Sequence, residues 1–410
     1  MGVVCPLGVG DDAVWASVEG RRSGVRAIPE FVAANVPIPF AGDVVNFEPK
    51  AYVKPRKSLK VMCRETQLGF AAAEIAWEQS GLEDANLDPE RFGVTCGSNM
   101  YSPDVPELAD AFHASDDGAG GFDFSKWGAD GLRALIPLWM LKYLPNMTPC
   151  HIGIAHDARG PSNSVVAGDV SGSLALIEAA DVVARGHADV MIAGGVSSTI
   201  GLMDVMWHGG ARQSRRVEEP ERACRPFDAD RDGWVGGEAA ALFVLERRTH
   251  AEARGAKSWG RIAGHGRRNE ASAASMDPTG QAIRLAIEAA LADADLSVGD
   301  IGHVNAHGLS TQIDDMVEAQ AIRATVGDVV TTAPKSFFGN AGPAASSVEL
   351  AISLMGLQRG VTPPTLNYET PDPDCPINVA VDTQPTTLPT VLKLCHRTTG
   401  QAVALIVEAD

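Results

Sequence analysis

The sequence predicts an α/β chain built from two like halves, and three observations carry that expectation. From Gly160 to Ala180 (GPSNSVVAGDVSGSLALIEAA), β-branched residues at Val165 and Val166 read as a strand. The strand breaks at Gly168-Asp169, and small residues then lead into helical periodicity through Leu174, Leu176, Ile177 and Ala180. From Gly339 to Leu357 a glycine-rich turn again opens an Ala/Ser-rich buried helix. Finally, 410 residues with 45% hydrophobic content and 42 glycines suit one large duplicated unit as well as two or three separate domains.

Composition narrows the function classes. A formal charge of −18 argues against nucleic acid or an anionic membrane as partner. No apolar run approaches the roughly 20 residues needed to span a bilayer, and the start MGVVCPLGVG lacks a secretory pattern. The cysteines at 5, 63, 96, 150, 224, 375 and 395 form no CxxC pair, which fits reduced thiols in the cytoplasm.

Taken in order, residues 1–30 read as a turn and a helix, with Gly-Asp-Asp before Val14 and Trp15 as the start signal. Residues 31–60 are irregular and Pro-rich; Lys50, Lys54, Arg56, Lys57 and Lys60 form a solvated face or a partner contact. A helix follows over 62–81, with Leu68, Ala71, Ala72, Ile75 and Ala76 on one stripe, then a buried strand over 92–98. The polar, Gly/Asp-rich stretch 103–133 reads as a surface loop. Residues 187–198 form a buried strand, and 248–266 cross from helix to strand between the halves. The second half runs helix (280–295), strand, helix (314–325), turn and helix (344–358). The halves are therefore set at 1–247 and 248–410, with a sharp elbow at 168–174.

Asp169 stands at that elbow, before a helix N-terminus, where backbone N–H groups and the helix dipole favour negative charge. Enzymes place nucleophiles on such bends; Asp is also a favoured N-cap, and the capping role is the plainer reading. Asp228-Ala-Asp230-Arg-Asp232-Gly233 imitates the start of a calcium loop, yet position twelve is Ala239 and the next element is a strand, so calcium is rejected.

Gly160-Pro161-Ser162 with its elbow, Leu141-Lys142-x-Leu144-Pro145-Asn146-Met147, the run Arg225-Pro-Phe-Asp through Glu238, His307-Gly308 and Lys335-Ser336 together resemble the β-ketoacyl synthases of the thiolase-like superfamily. The resemblance covers nearly the whole chain. It implies two duplicated halves in a five-layered α/β/α/β/α sandwich, with no cofactor and no metal. Family members begin with an additional β-strand, and this sequence starts just after it.

The resemblance also implies where the reacting groups lie. The family's acyl-accepting cysteine falls on Asp169, which cannot perform thioester exchange. The family's first histidine is His307, in the run His307-Gly308-Leu309-Ser310-Thr311, where leucine replaces a threonine; Asp315 and Glu318 follow at the family's spacing. The second falls on Asn340, in Lys335-Ser336-Phe337-Phe338-Gly339-Asn340, and an amide cannot carry a proton. The C-terminal Gly-Phe-Gly-Gly loop becomes His396-Arg397-Thr398-Thr399-Gly400-Gln401, without most of the glycines that shape an oxyanion hole. Glu318 and Lys335 are expected to form a buried pair, with His307 hydrogen-bonded near Asp169. Neither Cys150 nor Cys395 is expected to replace the nucleophile. Trp139, Met140 and Leu141 face a partner or an acyl chain, or else belong to the core; Phe338 and Arg397 are assigned to the pocket. Arg212, Arg215 and Arg216 form a local basic patch that either docks an acidic carrier protein or is simply a solvated loop.

With three chemical positions changed, the chain resembles the chain-length factors that pair with an active ketosynthase in type II polyketide assembly. Those proteins usually carry glutamine at the cysteine position and lose the first histidine, so this chain departs from them at both places. Two alternatives remain: a malonyl-carrier decarboxylase, disfavoured by the charge of Asp169, and a non-catalytic homodimer that binds acyl groups or carrier.

Overall fold

The computed structural model describes residues 1–410 except 84, 86, 209–211, 272–278 and 387, and of 206–208 the backbone alone. The first half forms a six-stranded sheet from β1 (Gly2–Cys5), β2 (Gly8–Val9), β3 (Phe92–Gly97), β4 (Ser162–Val165), β5 (Val190–Ser198) and β6 (Glu238–Glu246), in the order β2-β1-β6-β5-β3-β4. The second half repeats it with β7 (Arg261–Asn269), β8 (His303–Asn305), β9 (Val330–Thr332), β10 (Asn378–Val379), β11 (Thr390–His396) and β12 (Gln401–Glu408), a six-stranded sheet ordered β10-β9-β8-β11-β12-β7. Each sheet mixes parallel neighbours at one end with antiparallel neighbours at the other.

Seven helices matter for the layering: α1 (Asp11–Glu19), α2 (Arg64–Ser80), α3 (Met147–Ala155), α4 (Ser171–Ala184), α5 (Gln281–Ala294), α6 (Gln312–Val326) and α7 (Ala345–Leu357). Helices α2 and α3 cover the outer face of the first sheet, and α5 and α6 that of the second. Helices α4 and α7 lie between the sheets and touch both, which completes five layers. A helix enclosed on all sides must be apolar or small all round, and every residue of α7 is buried. The two central helices meet where bulk is absent: a Cβ on Gly172 would stand 2.4 Å from the Pro343 carbonyl oxygen.

Two expectations need correction. The N-terminal residues, read as turn and helix, begin with a strand: all four residues of β1 are buried and Gly2, Val3 and Val4 pair with Leu242, Ala241 and Ala240. Its run is too short for periodicity to reveal, and its place is fixed by α2, since a Cβ on Gly2 would collide with the Ala72 carbonyl. The stretch 103–133, read as a loop, contains a helix at Val105–Ala114 and further helical turns from Phe124 to Ala134. Phe112, Phe122, Phe124 and Trp127 pack on one another there, an aromatic cluster that the surrounding Asp and Gly residues conceal. Among the described residues no helix is long and apolar enough to cross a membrane.

Candidate functional site

Strand β4 delivers the chain to Gly168, whose φ of +66° lies in the region that glycine adopts at little cost. A 3₁₀ turn over Gly168–Val170 then runs into α4. Asp169 does not cap this helix. Ser171 closes the turn instead: its Oγ accepts from the Ala167 N–H at 2.8 Å and donates to the Gly168 carbonyl at 2.6 Å. The Asp169 carboxylate turns inward toward Asn340 and places Oδ2 3.9 Å from His307 Nε2, while a quarter (25%) of the side chain stays exposed. Burial raises its pKa; Lys335, Arg397, His396 and the nearby Asn340 amide oppose that shift without cancelling it.

His307 follows β8 and is fixed from below by Glu318 of α6. That carboxylate accepts the His307 N–H at 2.6 Å and the Gly308 N–H at 2.8 Å. The imidazole is buried, with Nδ1 3.7 Å from Cys395 Sγ and Nε2 without a hydrogen-bond partner among the described residues. Burial, then the charges of Lys335, His396 and Lys393, hold its pKa well below the usual imidazole value, so the ring is neutral.

The expected Glu318–Lys335 pair is not formed. Lys335 Nζ donates to Glu349 Oε1 at 2.5 Å, and Lys393 Nζ donates to Glu349 Oε2. Lys393 also donates to Asn305 Oδ1 at 3.0 Å and the Ala306 carbonyl at 3.2 Å. All three side chains are buried, so α7 carries one carboxylate into the centre of the molecule to hold two cations. Glu318 faces His396 instead, with Oε2 3.6 Å from Nε2. Burial would raise the Glu318 carboxyl, but His396 and the two backbone donors bring it below its usual value. Burial would likewise lower His396, yet Glu318 raises it above the ordinary imidazole value.

Cys395 is the largest departure from the sequence reading. β11 carries its thiol to the elbow, where Sγ donates to the Asp169 carbonyl oxygen at 3.1 Å. The His396 ring stands edge-on to His307 with centroids 4.7 Å apart. Arg397 lies over the elbow, since a Cβ on Gly168 would sit 2.5 Å from its Nε. Glu349 and Lys393 were thus missed, while Cys395 was set aside and His396 was read only as part of the C-terminal loop. The signal available was polarity inside apolar elements: one glutamate in α7, and Lys393, Cys395 and His396 in a strand whose other members are apolar or threonine.

The remaining assignments scatter. Phe338 is wholly buried in the core rather than open to a pocket. Trp139 packs against Tyr143 beside Cys63 and Tyr101, Leu141 is half-buried, and Met140 is 66% exposed. In the basic patch, Arg212 pairs with Asp314 at 3.3 Å, and Arg216 donates to the Asp230 carbonyl at 2.7 Å near Asp232. Arg215 is exposed but its backbone N–H is held by Asp232. The patch therefore sits among carboxylates that offset much of its charge. The loop after Arg225 is a brace: Asp228 holds the Arg225 guanidinium and accepts the Glu369 and Thr370 N–H groups.

Comparison with known proteins bears on the family and the fold. The family model "Beta-ketoacyl synthase, N-terminal domain" matches residues 1–251, and "Beta-ketoacyl synthase, C-terminal domain" matches residues 259–369. The chain is 32% identical over 385 residues to 3-oxoacyl-[acyl-carrier-protein] synthase 2 of Coxiella burnetii, covering 92% of this chain and 89% of that protein. It is 32% identical over 384 residues to the tetracenomycin polyketide synthase ketoacyl synthase alpha subunit of Streptomyces glaucescens, covering 92% and 88%. Among solved structures, a beta-ketoacyl synthase from Burkholderia phymatum superposes with a TM-score of 0.88 at 28% identity, covering 100% of this chain and 98% of that one. The ishigamide ketosynthase/chain length factor gives 0.83 at 25% identity, covering 100% and 97%.

Proposed function

The chain belongs to the β-ketoacyl synthase family, and within it we propose that it is a non-condensing subunit of chain-length-factor type that pairs with an active ketosynthase in type II polyketide or fatty-acid-like assembly. One observation carries this: the side chain on the elbow is a carboxylate, turned inward onto Asn340 and His307, where condensation needs a thiolate. The changes at Asn340 and Arg397 point the same way, because neither supplies a proton relay or a glycine-lined oxyanion loop.

The surface supports pairing. Among the described residues β4 is an edge strand bonded only to β3, and open edges invite a further strand. Exposed apolar side chains also occur in the segments that lead into and out of it: Met140 at 66%, Ile154 at 80% and Val166 at 46% exposure. An acyl carrier protein is the natural second partner, as the name of the Coxiella relative states for that protein. Co-expression with a cysteine-bearing ketosynthase tests the assignment. A 1:1 complex supports it; a homodimer that never exchanges with the active chain overturns it.

The free His307 Nε2 favours one second reading, decarboxylation of a malonyl carrier. Intact-mass analysis of malonyl carrier incubated with this chain alone decides it. Conversion to acetyl carrier, abolished by His307→Ala, makes the chain a decarboxylase; an unchanged carrier leaves the subunit role.

A further inference from the structure

Asp169, His307 and Cys395 come from three separate elements, and their order in space is that of a nucleophile, a base and an orienting acid. The His307 ring lies between the other two. Its Nδ1 faces Cys395 Sγ at 3.7 Å, and its Nε2 faces the Asp169 carboxylate at 3.9 Å. We propose that Cys395 is an acyl acceptor, taking acyl groups from carrier thioesters with His307 as base and Asp169 as the residue that orients it.

The thiol is not an isolated cysteine. Nε2 of the same wholly buried histidine is left without a hydrogen-bond partner among the described residues and faces the Asp169 carboxylate. Asp169 stands at the edge of this cluster, with a quarter (25%) of its side chain exposed. The Cys395 thiol already donates to the Asp169 main chain at 3.1 Å, so its position is held rather than incidental. Charged groups face the ring from every side: Lys335 and Lys393 held by Glu349, His396 held by Glu318, and Arg397 across the elbow. Burial keeps the thiol protonated at rest, so sulfur must lose its proton as it attacks. The neutral His307 is available to take it.

The step balances without a further reactant. His307 Nδ1 takes the Cys395 thiol proton, and sulfur bonds to the carbonyl carbon of the incoming acyl thioester. The bond from that carbon to the carrier sulfur then breaks, and the leaving sulfur receives the proton back from His307. One thioester replaces another, so nothing is oxidised or reduced. A carboxylate facing the other ring nitrogen stabilises the imidazolium formed in between, which gives Asp169 a task that its own oxygen chemistry cannot perform.

The proposal is independent of pairing and is tested on the full chain with a hexanoyl thioester of N-acetylcysteamine. Intact mass should show one hexanoyl adduct, and peptide mapping should place it on Cys395. Cys395→Ser should abolish it and His307→Ala should slow it about a hundred-fold, the usual scale of a lost general base. Asp169→Asn should slow it less. Mapping on the unaltered protein reads the site even if a variant folds poorly. Absence of any adduct overturns the proposal, as does an adduct on the half-buried Cys150 whose rate ignores His307→Ala. Complex formation with a ketosynthase, read by chromatography, is unaffected by either result.

Discussion

Glu349→Gln is the sharpest test of how the centre of the molecule is held. Glu349 is wholly buried and accepts from two lysines, Lys335 at 2.5 Å and Lys393 on its other oxygen. The amide keeps the shape but leaves two cations between the sheets with no anion. Removing one partner of a buried ion pair costs about 3–5 kcal/mol, because the uncompensated charge stays desolvated. With an unfolding entropy of about 2.1 cal/mol/K per residue, 410 residues correspond to roughly 0.9 kcal/mol per degree. The unfolding midpoint should therefore fall by about 4–6 °C, read by scanning calorimetry at one scan rate and neutral pH. The triple change Lys335→Met, Glu349→Met, Lys393→Met should recover most of that loss, since it removes every charge together. An unchanged midpoint in Glu349→Gln would refute the idea that this carboxylate compensates both lysines.

Three further outcomes follow from the same geometry. Asp169→Cys should not restore condensation with acyl and malonyl carriers, because Asn340 and Arg397 remain; recovery by that change alone would show both to be tolerated. His396→Gln should lower stability below the unfolded imidazole value of about 6.5, with the deficit vanishing as pH rises through the raised pKa of His396 in the fold. The Glu318 share is lost at the acid end, below about 4.3, as that lowered carboxyl protonates. Denaturant midpoints across pH check this, and a deficit that grows with rising pH contradicts it. Ile154→Asp, at a side chain 80% exposed in this chain, should leave the unfolding midpoint unchanged yet weaken pairing with a ketosynthase about ten-fold or more, the equivalent of about 1.4 kcal/mol; unaltered affinity would place the interface elsewhere.

The fold was legible because its signals are local. The strand–turn–helix at Gly168, the stripe of α2 and the small-residue run of α7 all follow from spacing along the chain, and the ordered motifs fixed how the halves combine. The placement of Asp169 and His307 near each other was legible only through the resemblance to the family. The polar wiring was not. Glu318 and Lys335 look like partners by charge and motif, yet α7 sits closer to Lys335 and supplies Glu349, a residue that one-dimensional reading files with an apolar helix. Cys395 was set aside because its alignment with the family pattern placed it poorly, and it is 226 residues from Asp169 in the chain. Only the order of strands in the second sheet, with β11 between β8 and β12, brings its thiol under the elbow.

Burial separates Asp169 and Arg397, which depart from the family pattern, from Lys335 and Glu318, which keep it. Lys335, Glu349 and Glu318 are closed to solvent: Glu349 holds two cations and Glu318 accepts two backbone donors. None can change alone without stranding another group, at a cost of several kcal/mol. Asp169 and Arg397 are partly exposed, so a change there alters chemistry at little expense to stability. A chain that ceased to condense would thus lose its nucleophile and its C-terminal loop first while keeping the ionic centre whole. The same asymmetry bears on Cys395 and His396, which are buried and differ from the pattern all the same. Their presence is not free drift at a surface; each is seated against a specific neighbour, the Asp169 carbonyl for one and Glu318 for the other. That is the condition under which a displaced thiol and a second imidazole would be held for use.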